Sequence, residues 1–98
     1  MVRGAGETLD GVVKDIEKAG GKAVAKVTDV TKPDQVKELV DCAIENFDAL
    51  HFAVNNAGIL GGSKPVGELD LDDWHSLIDT NLNGVAYGLR YQIPAILA

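Results

Sequence analysis

Too little cysteine is present for a disulfide framework: Cys42 stands alone, which fits a reducing compartment. Two distant histidines and that single thiol supply no metal-ligand spacing, so no metal is expected. Basic residues are scarce, nine against fifteen acidic for a net charge of −6. They form no cluster, which argues against a nucleic-acid partner. No apolar run approaches the ~18 residues of a membrane span. Residues 1–11 also lack the apolar core of a signal peptide, so a cytoplasmic protein with no membrane partner is expected. A phosphate-binding glycine loop is missing where it is invited. After Gly4-Ala5-Gly6 it would need glycine at position 9, which is Leu9, and a strand in front. Residues 1–6 therefore read as a flexible terminus. What remains is a globular composition, 46% apolar and 24% charged over 98 residues, enough for one domain at most.

The run Leu50-His51-Phe52-Ala53-Val54-Asn55-Asn56-Ala57-Gly58-Ile59 reads as a buried strand that ends in two amides and a glycine. In open α/β sheets ligands bind beyond the carboxyl ends of strands. Asn55, Asn56, Ala57 and Gly58 therefore lie where a ligand is expected, although the same residue types also make ordinary turns. Leu9, Val12, Val13, Ile16 and Ala19 recur at helical spacing, so a helix is expected from about Glu7 or Thr8 until Gly20-Gly21 stops it. Residues 23–27 read as a short strand. Thr31 is expected to cap a second helix, with Pro33 in its first turn. That helix carries the stripe Val36, Leu39, Val40, Ala43, Ile44 and Phe47, and Cys42 falls on the opposite side.

Asp70 is expected to cap a third helix, with Leu69 and Trp74 placed as a hydrophobic staple. Its stripe is Trp74, Leu77, Ile78, Leu82, Val85 and Leu89, and Pro94 should end or kink it. Asn81 sits inside that stripe. A buried amide needs partners, so Asn81 is either bonded to backbone or water or belongs to a site. Gly84 and Gly88 lie near the same side and would let another backbone come close. The order helix, strand, helix, strand, helix implies an α/β architecture with parallel strands.

Four pieces, taken in order, resemble the short-chain dehydrogenase/reductase family. They are Gly20-Gly21-Lys22-Ala23, Asp29-Val30-Thr31, Asn55-Asn56-Ala57-Gly58-Ile59, and Trp74 through Asn81-Leu82-Asn83-Gly84. The resemblance covers nearly the whole chain. It implies a partial Rossmann fold, a fragment of a doubly wound parallel sheet with about two strands and three helices, as one incomplete NAD(P)-binding domain over residues 1–98. It implies hydride transfer between NAD or NADP and a small alcohol or carbonyl substrate. By the same resemblance, Asp29 would hydrogen-bond the adenine amino group and Val30 would pack on the ring. Asn55, Asn56, Ala57 and Gly58 would line the cofactor near the adenine ribose and brace the sheet. Asn81 would be the asparagine of the catalytic tetrad, supporting a water-linked proton relay, and Arg3 would be the basic residue that favours a 2′-phosphate.

The family's glycine-rich loop and its Tyr-x-x-x-Lys do not occur in these residues: Tyr87 is followed four positions on by Tyr91, and Tyr91 by Ala95. The chain is thus expected to be a truncated copy, inactive by itself. In the family the first two strands lie between the third and the fourth, so the two strands kept here are not neighbours, and such a unit is marginal by itself. The alternatives are a non-catalytic fragment that associates with a full-length relative through the residue 74–93 helix, and a stand-alone nucleotide-binding module. The family's homo-oligomers are a further class of partner.

Overall fold

The computed structural model describes residues 5–60 and 64–98. Arg3 and the loop residues Gly61, Gly62 and Ser63 lie outside them. Helix α1 runs Ala5–Lys18, two residues ahead of the expected start. Its end is a Schellman motif. Gly20 takes φ 93°, its N–H donates to Glu17 O at 3.0 Å, and the Gly21 N–H donates to Ile16 O at 3.0 Å. The left-handed backbone requires glycine at position 20, and a Cβ at Gly21 would press on Ile16 Cγ2 at 3.0 Å.

Helix α2 runs Pro33–Phe47 and its N-cap is Lys32, without a side-chain cap. Thr31 therefore does not cap it. The Thr31 hydroxyl is spent on Asp29 instead, donating to Oδ1 at 2.7 Å, and the Thr31 N–H donates to the same oxygen at 2.9 Å. The Lys32 N–H closes the turn on Asp29 O at 3.0 Å. Pro33 occupies the first turn as expected, where a missing amide costs no helical bond.

The third helical rod has three parts. Helix α3 spans Leu71–Ile78, a π turn spans Asp79–Asn83, and helix α4 spans Gly84–Leu97. Asp70 caps α3 as expected, accepting from the Asp72 and Asp73 amides at 2.9 and 3.3 Å. Pro94 does not end the rod, because α4 continues to Leu97. Proline at that place removes one amide bond, to the carbonyl of Arg90, and Arg90 is exposed, so water can take the acceptor.

Helices α2 and α4 pack together. Among the described residues the buried apolar side chains are Val36 and Val40, 4% and 8% exposed, both on α2. Leu39 and Phe47 of the same stripe stay open, as do Trp74, Leu82 and Leu89 of the third rod. Asn81 is exposed rather than buried.

Residues 23–27 and 50–54, expected as strands, form no strand and no backbone ladder among the described residues. Phe52 and Val54 are 89% and 87% exposed. Unpaired amides and bare apolar side chains together are the signature of a sheet position without its neighbours. The extents of 51 × 31 × 17 Å agree: the short dimension holds one helix layer of about 10–12 Å backed by one layer of chain. The radius of gyration, 15.9 Å, exceeds the roughly 13 Å of a closed domain of this length.

Candidate functional site

The candidate residues other than Asn81 gather on the turns that follow residues 23–27 and 50–54, and Asn81 lies on the π turn Asp79–Asn83. Val30, Asn55, Asn56 and Ala57 line one cleft of about 120 Å³, together with Val54, Thr80, Gly84, Val85, Leu39 and Gln92. Two glycines of α4 make this convergence sterically feasible. A Cβ at Gly84 would lie 2.9 Å from Val30 Cγ2, and a Cβ at Gly88 would meet the Asn55 amide, 3.1 Å from its Cγ. Both glycines are buried. The close approach is therefore made by side chains, Val30 and the Asn55 amide, and not by the backbone expected from the sequence.

Asn55 does not offer its amide freely. Its Nδ2 donates to Gln92 Oε1 at 3.0 Å, and Gln92 Nε2 donates back to Asn55 Oδ1 at 2.9 Å. This closed amide pair ties the end of the 50–54 segment to α4. Asn56 makes no side-chain hydrogen bond among the described residues, so it keeps its full donor and acceptor capacity.

Asn81 is bonded in the same two-point way, but to backbone. The Ile59 N–H donates to Asn81 Oδ1 at 2.9 Å, and Asn81 Nδ2 donates to Ile59 O at 2.9 Å. Asn81 thus holds the residue that follows Gly58, and a Cβ at Gly58 would lie 3.5 Å from Asn81 Oδ1. The π turn carries Asn81: its closing bond, from the Gly84 N–H to Asp79 O, skips one residue further than an α turn. An amide oxygen has two lone pairs and an amide nitrogen two hydrogens. Each Asn81 atom therefore retains one more bond for a water.

Asp29 sits beside Val30 on the first turn. The Thr31 hydroxyl and then the Thr31 N–H hold its carboxyl below the ordinary aspartate value. These bonds use Oδ1, leaving Oδ2 without a partner among the described residues and able to accept from an amino group. The Asp29 N–H donates to Gln35 Oε1 at 2.8 Å, which fixes the turn to α2.

Thr80, Gln35 and Gln92 were not singled out in the sequence. Thr80 could have been found as the neighbour of Asn81. Gln92 carries no local signal, because its partner lies 37 positions away.

The sequence profile described as short chain dehydrogenase matches residues 1–98. The chain belongs to the short-chain dehydrogenase family. It is 45% identical over 92 residues to a cyclohexanol dehydrogenase of Acinetobacter sp. (strain SE19), covering 94% of this chain and 37% of that protein. It is 45% identical over 82 residues to a 3beta-hydroxysteroid dehydrogenase of Mediterraneibacter gnavus, covering 84% of this chain and 30% of that one. A short chain dehydrogenase/reductase from Burkholderia phymatum, solved in complex with NAD, superposes with a TM-score of 0.88 at 34% identity, over 94% of this chain and 32% of that one. An alcohol dehydrogenase from the archaeon Thermococcus sibiricus, complexed with 5-hydroxy-NADP, superposes with a TM-score of 0.86 at 27% identity, over 94% and 39%. This chain thus spans about a third of the length of these relatives. The match to Rossmann-type folds makes this a partial Rossmann fold, and explains the bare segments at residues 23–27 and 50–54.

Proposed function

We propose that these residues form the middle portion of an NAD(P)-dependent oxidoreductase that moves hydride between a nicotinamide cofactor and an alcohol or carbonyl substrate. The observation that carries this reading is the two-point bond from Asn81 to Ile59. It joins the asparagine in the relay position to the end of the Asn-Asn-Ala-Gly run.

The residues fit part of a dinucleotide. The cleft offers apolar Val30 and Val54 beside the amide of Asn56, a donor set suited to a planar heterocycle and a sugar hydroxyl. Its volume of about 120 Å³ is below the roughly 300–1,000 Å³ of a complete ligand pocket, so other residues must hold the rest. Val30 would pack on the adenine ring and Asp29 would accept from its amino group. Asn55 to Gly58 would border the adenine ribose. When bound, the nicotinamide supplies or takes up the hydride.

Asn81 would hold a water through the one bond each of its amide atoms retains, and that water would pass the substrate proton on. The proton-transfer tyrosine, its lysine and the serine are not among these residues, so the 98-residue chain by itself is inactive in this reading. Cytoplasmic location and family-type homo-oligomers belong to the same reading.

The test uses the full-length protein that contains this stretch, assayed for NAD(P)H formation from secondary alcohols. Turnover is expected, and Asn81→Ala should lower kcat by about 100-fold, a larger effect than its loss of stability. An unchanged kcat would leave Asn81 as a structural clasp. The 98-residue chain alone should match a protein-free blank.

A second reading is favoured by the exposed apolar side chains of the third rod, Trp74, Leu82 and Leu89. In it the chain is a non-catalytic fragment that associates with a full-length relative. Co-purification of the inactive chain with an intact family enzyme supports this reading, and a monomeric chain in its presence removes it.

A further inference from the structure

Among the described residues, the amide pair between Asn55 and Gln92 is the side-chain clasp that crosses from the turn after residues 50–54 to helix α4. It is built from three parts. Gly88 removes the Cβ that would occupy the place of the Asn55 amide. Gln92, one turn further along α4, presents an acceptor and a donor in the matching order. Asn55 answers with a donor and an acceptor at 3.0 and 2.9 Å. Since both amide ends of Asn55 are engaged, its direction is set by Gln92. The backbone that continues from it carries Asn56, Ala57 and Gly58 along the cleft.

We propose that Gln92 is a positioning residue for the nucleotide subsite, acting through Asn55; this rests on the cofactor reading given above. The amide at position 92 matters because neither partner titrates. A glutamate there would keep the same shape. Ionised, it can accept from Asn55 Nδ2 but sets a second acceptor against Asn55 Oδ1. Protonated, it regains a donor and restores both bonds. Gln92→Glu therefore converts a pH-independent clasp into a pH-dependent one, with subsite geometry as the readout.

The experiment measures the Kd for NAD and NADP by protein fluorescence, from pH 4 to 8, in the full-length protein, together with Tm at each pH. Gln92→Leu, which removes both bonds, should weaken the better nucleotide about tenfold. Gln92→Glu should bind as weakly as Gln92→Leu at pH 8 and recover toward wild type as pH falls through the ordinary glutamate range of about 4–5, while wild type changes little. If Gln92→Leu fails to fold, the pH dependence of Gln92→Glu decides alone. A Gln92→Glu protein whose Kd runs parallel to wild type overturns the positioning role, and so does one whose Tm follows pH while its Kd does not. Wild-type protein that binds neither nucleotide overturns the cofactor reading itself, and this proposal with it.

Discussion

Helices α1 and α2 are written to the same amphipathic pattern, yet a neighbouring helix covers one of them and not the other. On α2, Val36 and Val40 are 4% and 8% exposed; on α1, Val12 and Ile16 are 48% and 38% exposed. The difference does not come from the helices' own residues. Helix α2 has α4 lying along it, and α4 carries glycines where Val30 and Asn55 must enter. Helix α1 has no such partner among the described residues. An apolar stripe states that a face needs cover, and the rest of the fold decides what covers it.

The comparison breaks most sharply at Gly88. Gly88→Val places a branched side chain where the Asn55 amide lies and dissolves the clasp to Gln92. It should cost the full-length protein about 3 kcal/mol, from overpacking and the two lost bonds, read as a shift in the urea midpoint. An unshifted midpoint would show that the α4 approach contributes nothing to stability.

A smaller effect separates the two helices directly. Val36→Ala should cost about 1–3 kcal/mol, whereas Val12→Ala should stay within about 0.5 kcal/mol if α1 remains open. Comparable losses in the full-length protein would mean that other parts of it cover α1, sharpening the comparison into one between this stretch and its complete fold.

The smallest effect concerns the turn between the helices. Hydrogen bonds from Thr31 favour the charged form of Asp29, so its folded pKa is depressed. The stability this contributes is present above the unfolded aspartate value and lost as pH falls through the folded one. Thr31→Val keeps the amide bond and removes the hydroxyl. The Asp29 titration followed by carbon NMR should then move upward toward the ordinary value; an unmoved midpoint would show that the hydroxyl makes no bond there.

Much of the helical layer was legible from local signals. The stop at Gly20-Gly21 follows from the left-handed backbone that glycine accepts, and the Asp70 cap from a carboxylate placed before free amides. Thr31 misled because the helix starts one residue later, with Lys32 at the N-cap, and the Thr31 hydroxyl donates to the Asp29 carboxylate two residues back. Asn81 was expected in a buried stripe, but the π turn places it over Ile59 on the exposed side. The apolar runs at residues 23–27 and 50–54 were legible, but neither forms a strand among the described residues, because strand pairing depends on neighbours far along the sequence.

By itself, then, the sequence determined the helices, the turn residues and the family, because each is written in spacings of a few residues or in an ordered set of short motifs. Tertiary structure alone decided which stripe is covered, that Asn55 is spent on Gln92, and that Asn81 clasps the Ile59 backbone. Those contacts join positions 22 and 37 apart in the chain. No local pattern encodes them, because their geometry exists only once α4 has packed against the turn.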